Sequence, residues 1–288
     1  YANEEADIII MHNGVSFDAP TLKRILNINI PLAKIRDTLL LSQMADPMRE
    51  NGHSLDAWGT KLGFNKIEFN NFSAYSDEML KYCIRDVELT EKVYKTLVPE
   101  LKKFSARSIK LEHQIRAIID RQEANGFTLD EPKAMQLLSK LKDESENIKN
   151  DLQEVFKPIV EHRYSEKTGK KLKDKVTVFN PASRKQIAER LMDLGWKPDK
   201  HTEKGQPIVA EEVLEKLDIP EAKLIARYLL LEKRASQITS WLKAVEEDGK
   251  VHGKVLTLRT ITGRMAHTSP NMAQVPAVYS PYGKECRD

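Results

Sequence analysis

Apolar positions fall into short runs and helical spacings up to about residue 105, and into long helical spacings beyond it. Ile8-Ile9-Ile10-Met11 is apolar at consecutive positions, the pattern of a strand buried on both faces. Pro20 follows near the start of a helical stretch, TLKRIL, where its missing N–H costs little. SLDAWGTKLG predicts a helix with Ser54 as N-cap and Gly63 as the residue that ends it. From Ser76 to Leu97 the positions Met79, Cys83, Val87, Val93 and Leu97 predict the apolar face of one longer helix. Strands alternating with helices through residues 7–104 indicate an α/β domain.

Helices dominate afterwards. The spacing predicts one from Ser108 to Asn125, closed by Gly126, and a second from Glu131 to about Phe156. A third runs from about Glu221 to Glu247, with Leu224, Tyr228, Leu231, Ile238, Leu242 and Val245 on one face and Gly249 at its end. The basic, turn-rich stretch SEKTGKKLKDK, residues 165–175, reads as a solvated loop, and VHGKVLTLRT as strand-like. No internal repeat or low-complexity tract interrupts this order.

Composition narrows the class. With 288 residues, 40% hydrophobic and 31% charged, the chain is globular and long enough for about two domains. A net charge of +3 suits nucleic-acid binding without requiring it. Cys83 and Cys286 lack metal spacing, which points to a reducing compartment such as the cytoplasm of a (host) cell rather than a disulfide framework. No apolar run approaches the roughly 18 residues of a membrane span, and YANEEAD is unlike a signal peptide. YANEEAD also lacks an initiating Met and GKECRD carries no stop signal, so both ends are expected to be cuts.

Candidate chemistry begins with acids. Asp18 lies just past the first apolar run, in HNGVSFDAP, and Asp86 lies four residues after Tyr82 in YCIRD. On a helix that spacing puts the phenol and the carboxylate on one face. Taken singly, Asp18 reads as an ordinary helix-start acid and Asp86 as an ordinary surface helix acid. Taken together they suit metal-assisted phosphodiester hydrolysis, in which carboxylates hold divalent ions and a tyrosine orients the attacking water. Two acids are too few to hold a metal pair.

HNGVSFDAP and YCIRD resemble the second and third motifs of the DEDD-type 3′–5′ exonucleases, in the version with a tyrosine before the last acid. IRDTLLLSQ and GHSLDAWGTKLG resemble the connecting elements of the proofreading domain of family A DNA polymerases, the DNA polymerase I class. The resemblance implies that Asp18 and Asp86 are metal ligands and catalytic together with Tyr82, that the metal is Mg²⁺ in two-ion sites, and that the fold is ribonuclease H-like. It also implies a first motif, an Asp-x-Glu pair, before residue 1.

The last forty residues are the most specific. Thr262-Gly263-Arg264, Pro270-Asn271-Met272, Gln274-Val275-Pro276 and Cys286-Arg287 resemble the family A segment between thumb and palm. The form with Ala before Gln, and SPYG after it, is similar to the polymerases of short-tailed podophages; VFNPASRKQIAERL, LGWKP, KGQPIVAEEVLEKL and DGKVHG extend the likeness. Gly263 lets backbone approach a ligand, and the Arg264 guanidinium fits minor-groove acceptors that every base pair presents. Asn271 and Gln274 offer amides for the same purpose, with Arg287 closing the segment. The resemblance implies that Lys233, Arg234 and Gln237 touch DNA phosphates, which position a duplex without reading sequence; a solvated basic face is the alternative. His267 and Tyr279 receive no role.

The expected architecture is therefore a ribonuclease H-like exonuclease domain over residues 1–104, a mostly α-helical thumb over 105–250, and the beginning of an α+β palm over 251–288. The expected partners are primer–template DNA and, in the full-length enzyme, deoxynucleoside triphosphates joined by two-Mg²⁺ phosphoryl transfer on palm acids beyond Asp288. Only about twenty residues, Phe156 to Thr177, stand where some podophage enzymes insert a thioredoxin-binding segment, so host thioredoxin is not an expected partner. The alternatives are a stand-alone 3′–5′ exonuclease, which has no use for the TGR-to-SPYG segment, and an inactive DNA-binding or clamp protein, which has no use for Asp18 and Asp86.

Overall fold

The structure, a computed structural model, describes residues 5–164 and 169–288. The expectations on Tyr1 to Glu4 and on residues 165–168 of the basic loop lie outside the described residues. In chain order the first elements are β1 (Ile9–Met11), α1 (Asp18–Leu26), β2 (Ile35–Asp37), α2 (Thr38–Ala45), α3 (Leu55–Leu62), α4 (Asp77–Leu101) and α5 (Ala106–Asn125). They continue as β3 (Phe127–Thr128), α6 (Glu131–Val155), β4 (Ile159–Glu161), β5 (Lys175–Thr177), α7 (Arg184–Asp193) and α8 (Glu211–Leu214). The last are α9 (Pro220–Lys243), β6 (Lys250–Val251), β7 (Lys254–Leu256) and β8 (Ala266–Thr268). None of the described helices is long and apolar enough to cross a membrane.

Two compact units divide the chain: residues 1–127 with 250–274, and residues 128–249 with 275–288. In the first, β1 and β2 pair in parallel, Ile9 opposite Ile35 and Met11 opposite Asp37, with α1 as their crossover. β1 is half-buried, not buried on both faces as its apolar run suggests, and Ile8 is exposed. Leu41, Trp58, Leu89, Val93, Leu97 and Leu101 form the main core between α2, α3 and α4. Each such side chain, fully buried, stabilises by about 1.5–3 kcal/mol. Ser54 caps α3 by accepting from Ala57 N–H, and Gly63 closes it in the left-handed conformation, both as expected. Ser76 caps α4 through Met79 N–H, so the helix starts one residue later and runs to Leu101. Its first half departs from the expected face: Cys83 is exposed and Val87 is 70% exposed, because the helix enters the apolar core only from Leu89 onward.

In the second unit α6 packs along α9, burying Leu141, Ile148 and Leu152 with Ile225, Leu231 and Ile238. α9 ends at Lys243, one turn earlier than its apolar spacing suggests. Phe156 packs on Phe179 with ring centroids 4.6 Å apart. β4 and β5 form an antiparallel hairpin, Ile159 opposite Thr177. Of the basic stretch, the described residues 169–174 precede the second strand of this hairpin, and Lys175 already lies in it.

Buried histidines tie the first unit together. His113 Nε2 accepts from Asp37 N–H at 2.9 Å, and its Nδ1 faces Ile109 O at 2.8 Å. Those partners require a neutral ring protonated at Nδ1. Burial lowers the pKa of His113, and also of His12 and His53. Below the ordinary histidine value of about 6.5 the unfolded chain therefore binds more protons than the native one. Stability is full above that pH and falls as pH drops through it toward the lower native values. Urea unfolding of the chain should lose free energy between pH 7 and pH 5. His113→Gln should reduce the slope by up to about 1.4 kcal/mol per pH unit, the value of one proton; an unchanged slope would contradict the assignment.

Candidate functional site

The site is assembled around the end of β2. Asp37 is 1% exposed. Its Oδ1 accepts from Asn13 N–H at 2.9 Å and Leu39 N–H at 3.0 Å, and its Oδ2 from Val15 N–H at 3.0 Å. Thr38 Oγ1 donates to Met11 O at 3.1 Å, which leaves its oxygen to accept from His12 Nδ1–H at 2.8 Å. Asn13 takes the left-handed conformation, φ 63°, which Asn tolerates better than most residues. A Cβ on Gly14 would overlap the Met11 side chain. These demands account for the local sequence His12-Asn13-Gly14, and the turn delivers Asp18 to the first position of α1.

Asp18 and Asp86 line one cleft with Met11, His12, Leu22 and Thr90. Burial, helped by the charge of Asp37, raises the pKa of Asp18. Asp86 Oδ2 pairs with Lys66 Nζ at 2.8 Å, whereas its Oδ1 is buried without a hydrogen-bond partner. The Tyr82 hydroxyl accepts from Lys66 Nζ at 3.2 Å, and its ring packs on Phe69 and Phe72 at centroid distances of 5.6 and 5.8 Å. The structure therefore brings Asp18 and Asp86 to one cleft; Tyr82 and Lys66 are not among the residues that line it, and Tyr82 is joined to Asp86 through Lys66. Burial opposes the charge on Lys66, but its bonds to Asp86 and Tyr82 outweigh that and raise its pKa. Sequence reasoning missed Lys66 and Asp37; neither spacing nor periodicity marks them. Among the described residues, no group of three or more His, Cys, Asp and Glu side chains is arranged to hold a metal ion.

In the same unit, Arg264 is exposed and follows Gly263, which has φ 72° and closes a turn onto Thr260 O at 2.9 Å. Thr260 Oγ1 donates to Arg264 O at 2.8 Å, fixing the backbone beneath the guanidinium. Asn271 Oδ1 accepts from Ala273 N–H at 3.1 Å, and Gln274 is exposed.

In the second unit Lys233 is exposed but Arg234 is 8% exposed, donating to Pro281 O at 3.3 Å and Gln237 Oε1 at 3.0 Å. Arg287 donates to Pro276 O at 2.7 Å and Val275 O at 3.2 Å. Tyr282, from SPYG, donates to Glu144 Oε2 at 2.5 Å, and Arg227 bonds both Glu144 Oε1, at 2.5 Å, and the Tyr282 hydroxyl, at 2.6 Å. Burial and the Glu144 bond push the Tyr282 pKa up to about 12.

The sequence profile of DNA polymerase family A matches residues 139–288. The chain belongs to the family A DNA polymerases. It is 28% identical to the DNA-directed DNA polymerase of Escherichia phage T7, over 97% of this chain and 56% of that protein. The same identity and coverage hold for the DNA-directed DNA polymerase of Enterobacteria phage T3. The resemblance to phage-type family A polymerases is thereby upheld, and the chain spans little more than half the length of these relatives. The T7 alignment runs over 398 positions, so that protein contains segments with no counterpart among these 288 residues. Among solved structures, the POL domain of Pol1 from M. smegmatis in complex with DNA primer–template and dNTP has a similar fold. The TM-score is 0.66 at 18% identity, covering 88% of this chain and 40% of that one.

The Asp37 network generates a stability expectation. In Asp37→Asn an amide NH₂ faces backbone N–H donors, so at least one buried bond is lost. A hydrogen bond to a charged group contributes about 1.5–3 kcal/mol, and an orphaned buried donor adds to the loss. Urea denaturation of the chain should show a loss of about 3 kcal/mol; a change below about 1 kcal/mol would mean that the turn is held by something else.

Proposed function

We propose that the protein is a DNA-directed DNA polymerase with a 3′–5′ proofreading exonuclease. Residues 1–104 are assigned to a ribonuclease H-like exonuclease domain, 105–250 to the thumb and 251–288 to the start of the palm. The polymerase reading is carried by the likeness to the two phage enzymes along 97% of the chain. The exonuclease reading is carried by the convergence of Asp18 and Asp86 on one cleft.

The donor set fits Mg²⁺ in chemistry, since hard oxygen ligands suit it and Asp86 Oδ1 is a buried carboxylate oxygen with no other partner. Asp18 and Asp86 would hold it, and two acids are a partial set for a two-ion site. When bound, such ions lower the pKa of the attacking water and neutralise charge on the leaving oxygen. Tyr82 orients that water through its hydroxyl. The water oxygen bonds to phosphorus as the P–O3′ bond breaks, one water proton ends on the departing O3′, and the products are a nucleoside 5′-monophosphate and a strand with a new 3′-OH. Arg264 touches minor-groove acceptors at the primer end, with Asn271 and Gln274 beside it in sequence, and Arg287 belongs to the same DNA-contacting segment. Lys233 contacts phosphate. Arg234 and Gln237, expected to do the same, bond each other in this structure, and Arg234 supports the SPYG turn through Pro281.

Two measurements on the complete protein test this. Asp18→Ala or Asp86→Ala should reduce hydrolysis of single-stranded DNA by at least a hundredfold while primer extension stays within twofold; parallel loss of both activities would argue against separate sites.

Arg264→Ala should slow extension of matched primers by about tenfold, at 1.4 kcal/mol per decade, given that a good base-edge contact is worth about 1–3 kcal/mol. Mismatched primers should lose less, because they lack the geometry being read. Lys233→Ala should weaken binding to all duplexes and lower the salt slope by about one. If Arg264→Ala produces only that uniform, salt-sensitive loss, the minor-groove role is wrong.

A further inference from the structure

We propose that Lys66 is a positioning residue of the nuclease cleft, aiming the Tyr82 hydroxyl and fixing which Asp86 oxygen is left for a ligand; this rests on the exonuclease reading above. Lys66 Nζ lies 2.8 Å from Asp86 Oδ2 and 3.2 Å from the Tyr82 hydroxyl. An ammonium has three protons and no lone pair, so both contacts are donations from Lys66. A phenol oxygen that accepts from Lys66 must direct its own proton elsewhere. Tyr82 is thereby set as a donor toward a water or substrate oxygen. Asp86 is sorted by the same contact: Oδ2 is engaged, and the buried Oδ1 has no partner.

The geometry is held from several sides. Lys66 stands on the segment that follows α3, while Tyr82 and Asp86 stand on α4. The Lys66 ammonium also sits 5.1 Å from the Tyr82 ring centroid, and Phe69 and Phe72 pack on that ring. Arg85, the neighbouring cation, is directed instead at Asn65 O, 3.2 Å away, and at the Phe64 ring, 4.1 Å away. The division of Asp86 into one engaged oxygen and one buried, unpaired oxygen is therefore the work of Lys66.

Lys66→Met in the complete protein keeps an apolar stem of similar length and removes the charge and its donors. Hydrolysis of single-stranded DNA should lose about tenfold in kcat, with KM for DNA moving less than twofold. Mn²⁺ binding to the same variant, measured by calorimetry, should become tighter, because a positive charge beside the carboxylate is gone. A segment that merely came loose would weaken both rate and ion binding. In a Tyr82→Phe background Lys66→Met should cost clearly less than in the wild type, since no hydroxyl remains to be aimed and only the sorting of the Asp86 oxygens is lost. Lys66→Arg, which retains charge and donors, should recover part of the rate.

Hydrolysis that needs Asp18 and Asp86 but is unchanged in Lys66→Met would overturn the proposal alone. Weaker Mn²⁺ binding alongside the lost rate would also overturn it, in favour of a scaffold role, as would full additivity with Tyr82→Phe. Hydrolysis that is absent from the wild type, or indifferent to Asp18 and Asp86, would overturn the exonuclease reading itself.

Discussion

One buried carboxylate holds the first unit's working parts in place. β1 and β2 are each three residues long and pair only with each other among the described strands, and a two-stranded sheet of that length is marginal by itself. Asp37 supplements it by accepting three backbone N–H groups from both sides of the strand pair. The backbone N–H of Asp37 is in turn received by His113 on α5. Because the N–H groups of Asn13 and Val15 belong to the turn that leads to Asp18, the location of that acid is set by a residue that does not line the cleft. A carboxylate suits the position better than an amide: it offers acceptors only, and every group it faces is a donor.

Local signals in the sequence were readable, and contacts made across many residues were not. Ser54 and Gly63 mark the ends of α3 by short-range chemistry, and the structure keeps both. The Tyr82 and Asp86 pair was legible because four residues on a helix define a face. Periodicity says which residues share a face but not whether anything covers it, and this is why the spacing puts Cys83 and Val87 on the apolar face although its buried part begins only at Leu89. Lys66 and Asp37 stayed hidden for a related reason. Lys66 acts on α4 from a different segment, 20 residues from Asp86 in sequence, and Asp37 reaches back 24 residues to Asn13.

Charge counting was equally silent on the division of labour among the arginines. Arg116 binds Asp120 and Glu123 and donates to Val255 O, so it is an internal tie between α5 and β7. Arg227 and Arg234 perform the same service in the second unit. A guanidinium as buried as that of Arg116 or Arg234 cannot turn to a phosphate without leaving a carboxylate or carbonyl unpaired, and that costs more than a solvent-exposed phosphate contact returns. Exposed cations such as Arg264 and Lys233 have no such constraint. The net charge of +3 therefore says little about DNA affinity; which cations remain on the surface says more.

The two units solve a common problem in the same way. HNGVSFD and SPYG are turn-rich segments that bury little apolar surface of their own, Val15 being the one residue of the first that joins a core cluster, with Ile35 and Leu40. Each is held instead by an acid, Asp37 for the first and Glu144 for the second, whose lone pairs are filled by donors from the segment and its neighbours. Charged hydrogen bonds of this kind are short and directional, so they specify orientation where hydrophobic contact would specify only burial. Lys66 extends the same logic into the cleft with the polarity reversed, a donor-only group that decides how the acceptors around it are used. Where chemistry depends on which oxygen faces a ligand, orientation is the quantity that has to be held.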